Sequence, residues 1–326
     1  RRPKKKLSIS PMNFSHDFIS PKSIRQSSIS PPFQIPFSPS GQFLGQKLQS
    51  QNKSGVFLPP VAKKYYFSSI LNKSWQQEDA FTSFESQNYK IAAIFDGHGG
   101  CNASKYCAQN LKQKVEKFYG DSLFETLENA FTQSIQELNS EIQELYPFEG
   151  TTCAIVAMND VRVVTAIVGD SQIQLGYYND FLATQILKLK ESEHTTVVDG
   201  VLRLKGKLNF DHCLGDLELK EFLNQEPIIE QFKVENLKYI ALFSDGLGNT
   251  FTNEKIDELI KNDLQTKLAE ETDIKVNVIE RYGKKRMEFE NVQENALLGK
   301  KIAQHLTKEA YYTSQYDNVT VGVMVI

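Results

Sequence analysis

Three aspartates stand far apart in the chain, yet each marks the edge of an apolar run. Tyr89-Lys-Ile-Ala-Ala-Ile-Phe95 leads directly into Asp96-Gly-His-Gly-Gly100. Tyr239-Ile-Ala-Leu-Phe243 leads into Ser244-Asp-Gly-Leu-Gly248, and Asp317 opens the run that ends at Ile326. Short runs rich in β-branched and aromatic residues read as buried strands, so three carboxylates are placed at strand ends. A layered sheet fold can bring such ends together as one oxygen-lined site for a hard cation. Glu78 and Asp79, in Trp75-Gln-Gln-Glu-Asp79, add adjacent carboxylates ahead of the central run. Asp96 is the natural bridging ligand, and the glycine after it leaves the Gly97 carbonyl reachable. His98 is the one proton donor set beside that aspartate. Asp170 and Asp216 each follow a glycine and are candidates for a weaker third ion.

The chemistry such a set supports is metal-assisted hydrolysis. Two cations ~3.5–4 Å apart share a carboxylate, lower the pKa of a water held between them, and neutralise charge on a phosphoryl group in transfer. A general acid then meets the leaving alkoxide. Carboxylate ligands suit Mg²⁺ or Mn²⁺. The five histidines form no His-x-x-x-His pair, and Cys101, Cys107, Cys153 and Cys213 form no CxxC pair. That argues against a zinc site and a disulfide framework. Asp-Gly alone is commonly a turn. The reading rests on several such turns following apolar runs and jointly supplying the parts of one reaction.

These side chains need elements to carry them. Residues 65–71 read as a strand, with 89–95 as its sheet neighbour. Helical spacing covers 103–118, with Cys107, Leu111 and Val115 on one face, and 122–145, where Leu127, Phe131, Leu138 and Ile142 form an apolar stripe. Residues 150–158 and 161–168 predict a hairpin about Asn159-Asp160, and a further strand pair runs to about Leu187. Helices are expected at 253–262 and 295–312, and a last strand at 317–326. Residues 190–225 read as irregular, and 264–292 show no assignable pattern. Strand pairs without strict βαβ alternation predict antiparallel sheets with helices packed outside them.

Apolar residues at 40% are enough for a sizeable core. No stretch approaches the ~18 apolar residues of a membrane span, and residues 1–15 lack the apolar centre of a secretory leader. Charge is uneven: residues 1–60 carry nine Lys/Arg and one acid, whereas the remainder carries 28 basic and 39 acidic residues. The basic segment is rich in Ser, Pro and Gln and short of apolar surface, so it is expected to be a disordered tail, with 61–326 as the folded domain. Its Ser10-Pro11, Ser20-Pro21, Ser30-Pro31 and Ser38-Pro39 steps suit a proline-directed kinase, though a plain linker has the same composition. Arg1-Arg-Pro-Lys-Lys-Lys6 reads equally as a nuclear-import patch or a solvated charge run. Aromatic residues are thin in the tail and the rest is acidic, so no strong nucleic-acid signal emerges. Unpaired cysteines suit a reducing compartment, cytoplasmic and/or nuclear.

Asp96-Gly-His-Gly-Gly100, Gly169-Asp-Ser171, Leu214-Gly-Asp216, Ser244-Asp-Gly-Leu247 and Asp317-Asn-x-Thr320 occur in the order typical of the metal-dependent protein phosphatases, and residues 61–326 resemble that protein phosphatase 2C family. The resemblance implies an α+β fold of two packed antiparallel β-sheets, a β-sandwich flanked by α-helices in four layers, α-β-β-α. It implies two Mg²⁺ or Mn²⁺ ions and hydrolysis of phosphoserine and phosphothreonine on phosphoprotein substrates by a metal-bridging hydroxide. By resemblance Glu78, Asp96 and Gly97 serve one ion, Asp96, Asp245 and Asp317 the other, and His98 is the general acid. The chain departs from the pattern where the family grips phosphate. The usual arginine is replaced by Ser74, with Lys73 beside it as the available cation; Gln172 and His212 stand for two further arginines. Gly248-Asn249 stands for Trp-Asp, removing a carboxylate that could help a third ion. These departures raise an alternative: a phosphatase fold of low or no activity used as a binding or regulatory module.

Overall fold

A computed structural model of the protein describes residues 64–71, 76–119, 126–184, 189–266, 284–313 and 317–326. The basic tail, Lys73, Ser74 and most of the 264–292 segment lie outside the described residues.

Alternation along the strands builds three apolar layers. In β3 (Tyr89–Phe95), Ile91, Ala93 and Phe95 point one way while Ala92 and Ile94 point the other, and all five are fully buried. Strand side chains alternate faces, so a run apolar at every position must be covered on both. Around β3 lie β2 (Ala80–Ser86), β6 (Cys153–Met158), β7 (Arg162–Val168) and β13 (Ile228–Lys233), giving an antiparallel sheet in the order β13-β7-β6-β3-β2. The second sheet has β14 (Leu237–Phe243) at its centre, in the order β1-β15-β14-β8-β9. Its other members are β1 (Tyr66–Ile70), β8 (Gln172–Tyr177), β9 (Phe181–Ala183) and β15 (Val319–Val325). Ile94, Val156 and Ile167 from the first sheet meet Ile173, Ile240 and Leu242 from the second.

Helices close both outer faces. The amphipathic helices α1 (Asn102–Tyr119) and α2 (Leu127–Leu145) lay Cys107, Leu111, Phe131 and Leu138 on the outer residues of β3, β6 and β7. Thr126 caps α2 by accepting the Asn129 N–H. After the single-turn α3 (Asp245–Gly248), helices α4 (253–266) and α5 (Lys284–Tyr312) cover Tyr239, Ala241 and Phe243 of β14 with Ile256, Ile260, Ile302 and Leu306. The architecture is therefore the α-β-β-α sandwich expected from the motifs.

Three smaller strands shape the rim. β4 (Gly97–His98), β5 (Gly150–Thr151) and β12 (Leu214–Gly215) form a short antiparallel sheet with β5 in the middle. β10 (Thr195–Val198) and β11 (Val201–Leu204) form a hairpin over its own small core of Leu204, Leu208, Cys213 and Leu219.

Several expectations change. The strand at 65–71 is not the neighbour of 89–95: β1 pairs with β15 in the other sheet, and β3 lies between β2 and β6. Residues 190–225 are not irregular, because they hold a hairpin, a short strand and a 3₁₀ turn at Leu217–Phe222. Gly150–Thr151 leave the 150–168 hairpin to join the rim sheet. Among the described residues no helix is long and apolar enough to cross a membrane.

The inter-sheet layer predicts its own test. Ile94→Ala should lower unfolding free energy by about 2–5 kcal/mol, read from denaturant midpoints, because a buried aliphatic is replaced by a cavity that neither sheet can close.

Candidate metal centre

Asp96 follows β3, Asp245 follows β14 and opens α3, Asp170 follows β7, and Asp317 stands two residues before β15. Their strands run in different sheets, yet the carboxylates meet. Asp96 is within side-chain hydrogen-bonding reach of both Asp79 and Asp245. The charge of exposed Asp317 acts on Glu78, Asp79, Asp96, Asp170 and Asp245 alike. A single point that repels five acids lies close to all of them.

The electrostatics are those of crowded acids. Burial, joined by like charge, holds all five carboxyls above their usual range. Asp79 is pushed up to about 6 and Asp245 to about 8, both first by desolvation. Asp96 is raised well above normal by burial and by Asp79, Asp245, Asp170 and Asp317 in that order. Two buried oxygens, Asp79 Oδ1 and Asp245 Oδ1, have no hydrogen-bond partner. Ionised carboxylates only accept, so a cluster of them with orphaned oxygens fits a divalent cation and not another acceptor.

Neutral hydrogen-bonding groups hold the acids in place. Ser244 Oγ donates to Asp79 Oδ2 (3.0 Å) and accepts from the Thr320 N–H (3.0 Å), tying β14 to β15 and to the start of β2. The Asp96 N–H donates to Thr152 Oγ1 (3.0 Å), while Thr151 Oγ1 donates to the Asp96 carbonyl (3.0 Å). Asn318 Oδ1 accepts the Glu78 N–H (2.7 Å), and Ser104 Oγ donates to the Glu78 carbonyl. A Cβ on Gly97 would lie 2.6 Å from that carbonyl, so only glycine lets Glu78 approach Asp96 this closely. Ser244, Thr320, Thr152 and Asn318 were not singled out from sequence; Asp317-Asn-x-Thr320 contained two of them.

Residues 67–186 match the family model described as protein phosphatase 2C. Over that stretch the chain is similar to the protein phosphatase 2C family. The probable protein phosphatase 2C 59 of Oryza sativa subsp. japonica is 24% identical over 244 residues, spanning 69% of this chain and 74% of that protein. Protein phosphatase 1L of Bos taurus is 29% identical over 199 residues, 53% of this chain and 55% of that protein. The alignments thus cover about half to three quarters of each relative. A serine-threonine phosphatase 2C from Toxoplasma gondii has the same fold, with a TM-score of 0.62 and 15% identity over 82% of this chain and 97% of that one.

The departures from the phosphatase 2C pattern have structural outlets. His212 is engaged on both nitrogens, Nδ1 by Asp211 (2.6 Å) and Nε2 by Asn224 (3.1 Å). Asn249 Nδ2 donates to Asp245 Oδ2 (2.9 Å). Gln172 is buried, and a Cβ on Gly248 would lie 2.5 Å from its Nε2. Gln172, Gly248 and Asn249 border a cavity of about 320 Å³ beside Asp170 and Asp245, walled by Leu189, Val201 and Phe210. Cys101 receives a hydrogen bond from Lys105 Nζ at 3.0 Å, one helical turn on.

The raised carboxyls make a stability prediction. A folded-state pKa above the unfolded value stabilises at low pH and loses that contribution as pH rises through the folded value. In EDTA, the melting temperature should fall between about pH 4 and pH 8, the window set by Asp79 and Asp245. Asp245→Asn should raise it at pH 8 by roughly 2–4 °C, and Mn²⁺ should reverse the order of the two proteins. A flat profile in EDTA contradicts the crowding described here.

Proposed function

We propose that the chain is a Mg²⁺- or Mn²⁺-dependent protein serine/threonine phosphatase. The observation that carries this reading is the convergence of five carboxyls at one rim, with orphaned acceptor oxygens and a histidine beside them. Glu78, Asp96 and the Gly97 carbonyl would hold one ion and Asp96, Asp245 and Asp317 the other, with Asp79 and Asp170 completing the acidic wall. When bound, such a pair of cations neutralises phosphoryl charge and makes water a stronger nucleophile.

This chain's own residues supply the rest. Asp96, pinned through its backbone by Thr151 and Thr152, sets the centre of the site. His98 stands beside it, half-buried with its ring partly open, and protonates the leaving serine or threonine oxygen. Lys73 is the candidate cation for substrate phosphate. The Ser-Pro steps of residues 1–60 would place the enzyme under a proline-directed kinase, and four free cysteines support a reducing cytoplasmic or nuclear setting.

A weak or inactive phosphatase fold serving as a binding module is the second reading, favoured by the engagement of His212 and by the amides at 172 and 249. Turnover of a phosphothreonine peptide separates the two. The first reading expects Mn²⁺-dependent, EDTA-sensitive release of phosphate that Asp96→Asn lowers at least ~100-fold. Mn²⁺ binding by calorimetry without turnover supports the second.

A further inference from the structure

Asp216 follows a glycine much as Asp170 does, but its carboxylate serves a different partner. Its Oδ2 lies 2.6 Å from His98 Nε2. The rim sheet builds this meeting. His98 on β4 is paired with Gly150 on β5, and Gly150 is paired in turn with Gly215 on β12. The middle strand presents no side chain at that point, and a Cβ on Gly150 would overlap both His98 Nε2 and Asp216 Oδ2. Glycine at 150 is what lets a residue of one outer strand and the residue after the other touch across it.

The acid is held more firmly than the imidazole. Asp216 adopts a left-handed backbone, φ 43°, directly after Gly215 at φ 87°. Its N–H donates to the Glu149 carbonyl (3.0 Å), and the Gly215 N–H donates to Asn139 Oδ1 (2.8 Å). Cys213 Sγ gives the same Oδ2 a second donor at 3.3 Å. Phe210 packs edge-on to the His98 ring, 5.5 Å between centroids. The Asp216 side chain is 11% exposed and that of His98 24%, so the carboxylate is the enclosed partner and the ring the one turned toward the open site.

Resting on the phosphatase reading, we infer that Asp216 is the positioning residue for His98. Its carboxylate accepts the Nε2–H and fixes the orientation of the ring, leaving Nδ1 as the nitrogen free to serve the substrate. In the step itself hydroxide attacks phosphorus, a new P–O bond forms, and the bond to the serine or threonine oxygen breaks. That oxygen takes the Nδ1 proton and leaves as the alcohol. His98 is left neutral with Nε2–H still bound to Asp216, and regains its proton from solvent.

Asp216→Asn tests this, because asparagine keeps the size and tolerates the left-handed backbone while removing the charge. On a phosphothreonine peptide kcat should fall roughly 10–100-fold with KM changed less than about twofold. On p-nitrophenyl phosphate, whose leaving group needs no proton, the loss should stay below about threefold. His98→Gln should show the same split, and the double variant should be no slower than the slower single one. Two readouts do not depend on turnover: Mn²⁺ affinity by calorimetry should be unchanged, and the deshielded His98 Nε2–H signal in the ¹⁵N-edited spectrum should shift upfield. Equal losses on both substrates, unchanged peptide turnover, or weakened Mn²⁺ binding would each overturn the positioning role while leaving the phosphatase reading in place. A wild-type protein that turns over neither substrate removes both.

Discussion

Like charges brought together in a poorly hydrated site repel, and everything at the rim of this sandwich must answer that repulsion. Glu78, Asp79, Asp96, Asp170 and Asp245 are all held above their ordinary protonation range first by burial, with the charge of Asp317 adding to each. The attraction that offsets it lies elsewhere in the fold. Three apolar layers drive the strands together, and the ladder register carries the acids with them. A one-residue slip of β3 or β14 would turn every side chain to the opposite face, forcing Ile94 or Ile240 out of the inter-sheet layer into the helix-facing one and displacing the acid beyond the strand end. The acids cannot separate without unmaking the core. Electrostatic strain is thus held by hydrophobic burial, and a divalent cation is the natural group to relieve it, which couples ion binding to folding stability.

The groups that touch the acids directly are suited to this arrangement because they are neutral. Ser244, Thr320, Thr152 and Asn318 orient carboxylates or their backbones through hydrogen bonds, and none brings a charge that would satisfy them. A lysine in place of Ser244 would pair with Asp79 and compete with any metal. Orientation by uncharged partners leaves carboxylate oxygens available, as partners of metal ligands commonly do.

Much of this could be read from the chain, for identifiable reasons. An acid directly after an apolar run is conspicuous, so Asp96, Asp245 and Asp317 announced themselves. The run Tyr89–Phe95 was long enough to be a strand, and its two-sided burial followed. Partner choice was not legible: a strand's period says which face is apolar, not which strand lies beside it, so β1 was matched to β3 when β15, from the far end of the chain, is its partner. The hairpin at 195–204 did carry a signal, Asp199-Gly200 between β-branched residues, with both residues at positive φ. It was masked by the charged residues around it. Serines, threonines and asparagines are too common to stand out until coordinates show what they hold. The rim sheet has two-residue strands, too short for any periodic pattern, so the meeting of His98 with Asp216 could come only from structure.

The departures from the phosphatase 2C pattern fall mainly on one side of the centre. Glu78, Asp96 and Asp317 keep the carboxylates of the pattern. Gln172, Gly248 and Asn249 all border the cavity beside Asp170 and Asp245. Two of these depend on each other, since Gln172 lies where a side chain at 248 would begin. The third changes charge: an amide that donates to Asp245 stands where the related pattern has another acid, so one negative charge is removed and one carboxylate oxygen is partly satisfied. On the proposed phosphatase reading, both effects would weaken a third cation there more than a principal pair, whose candidate acids are retained. With Leu189, Val201 and Phe210 as its wall, this side offers hydrogen bonds and apolar surface in place of a charged grip. Gln172, Gly248 and Asn249 thus gather beside one cavity, next to acids that the chain retains.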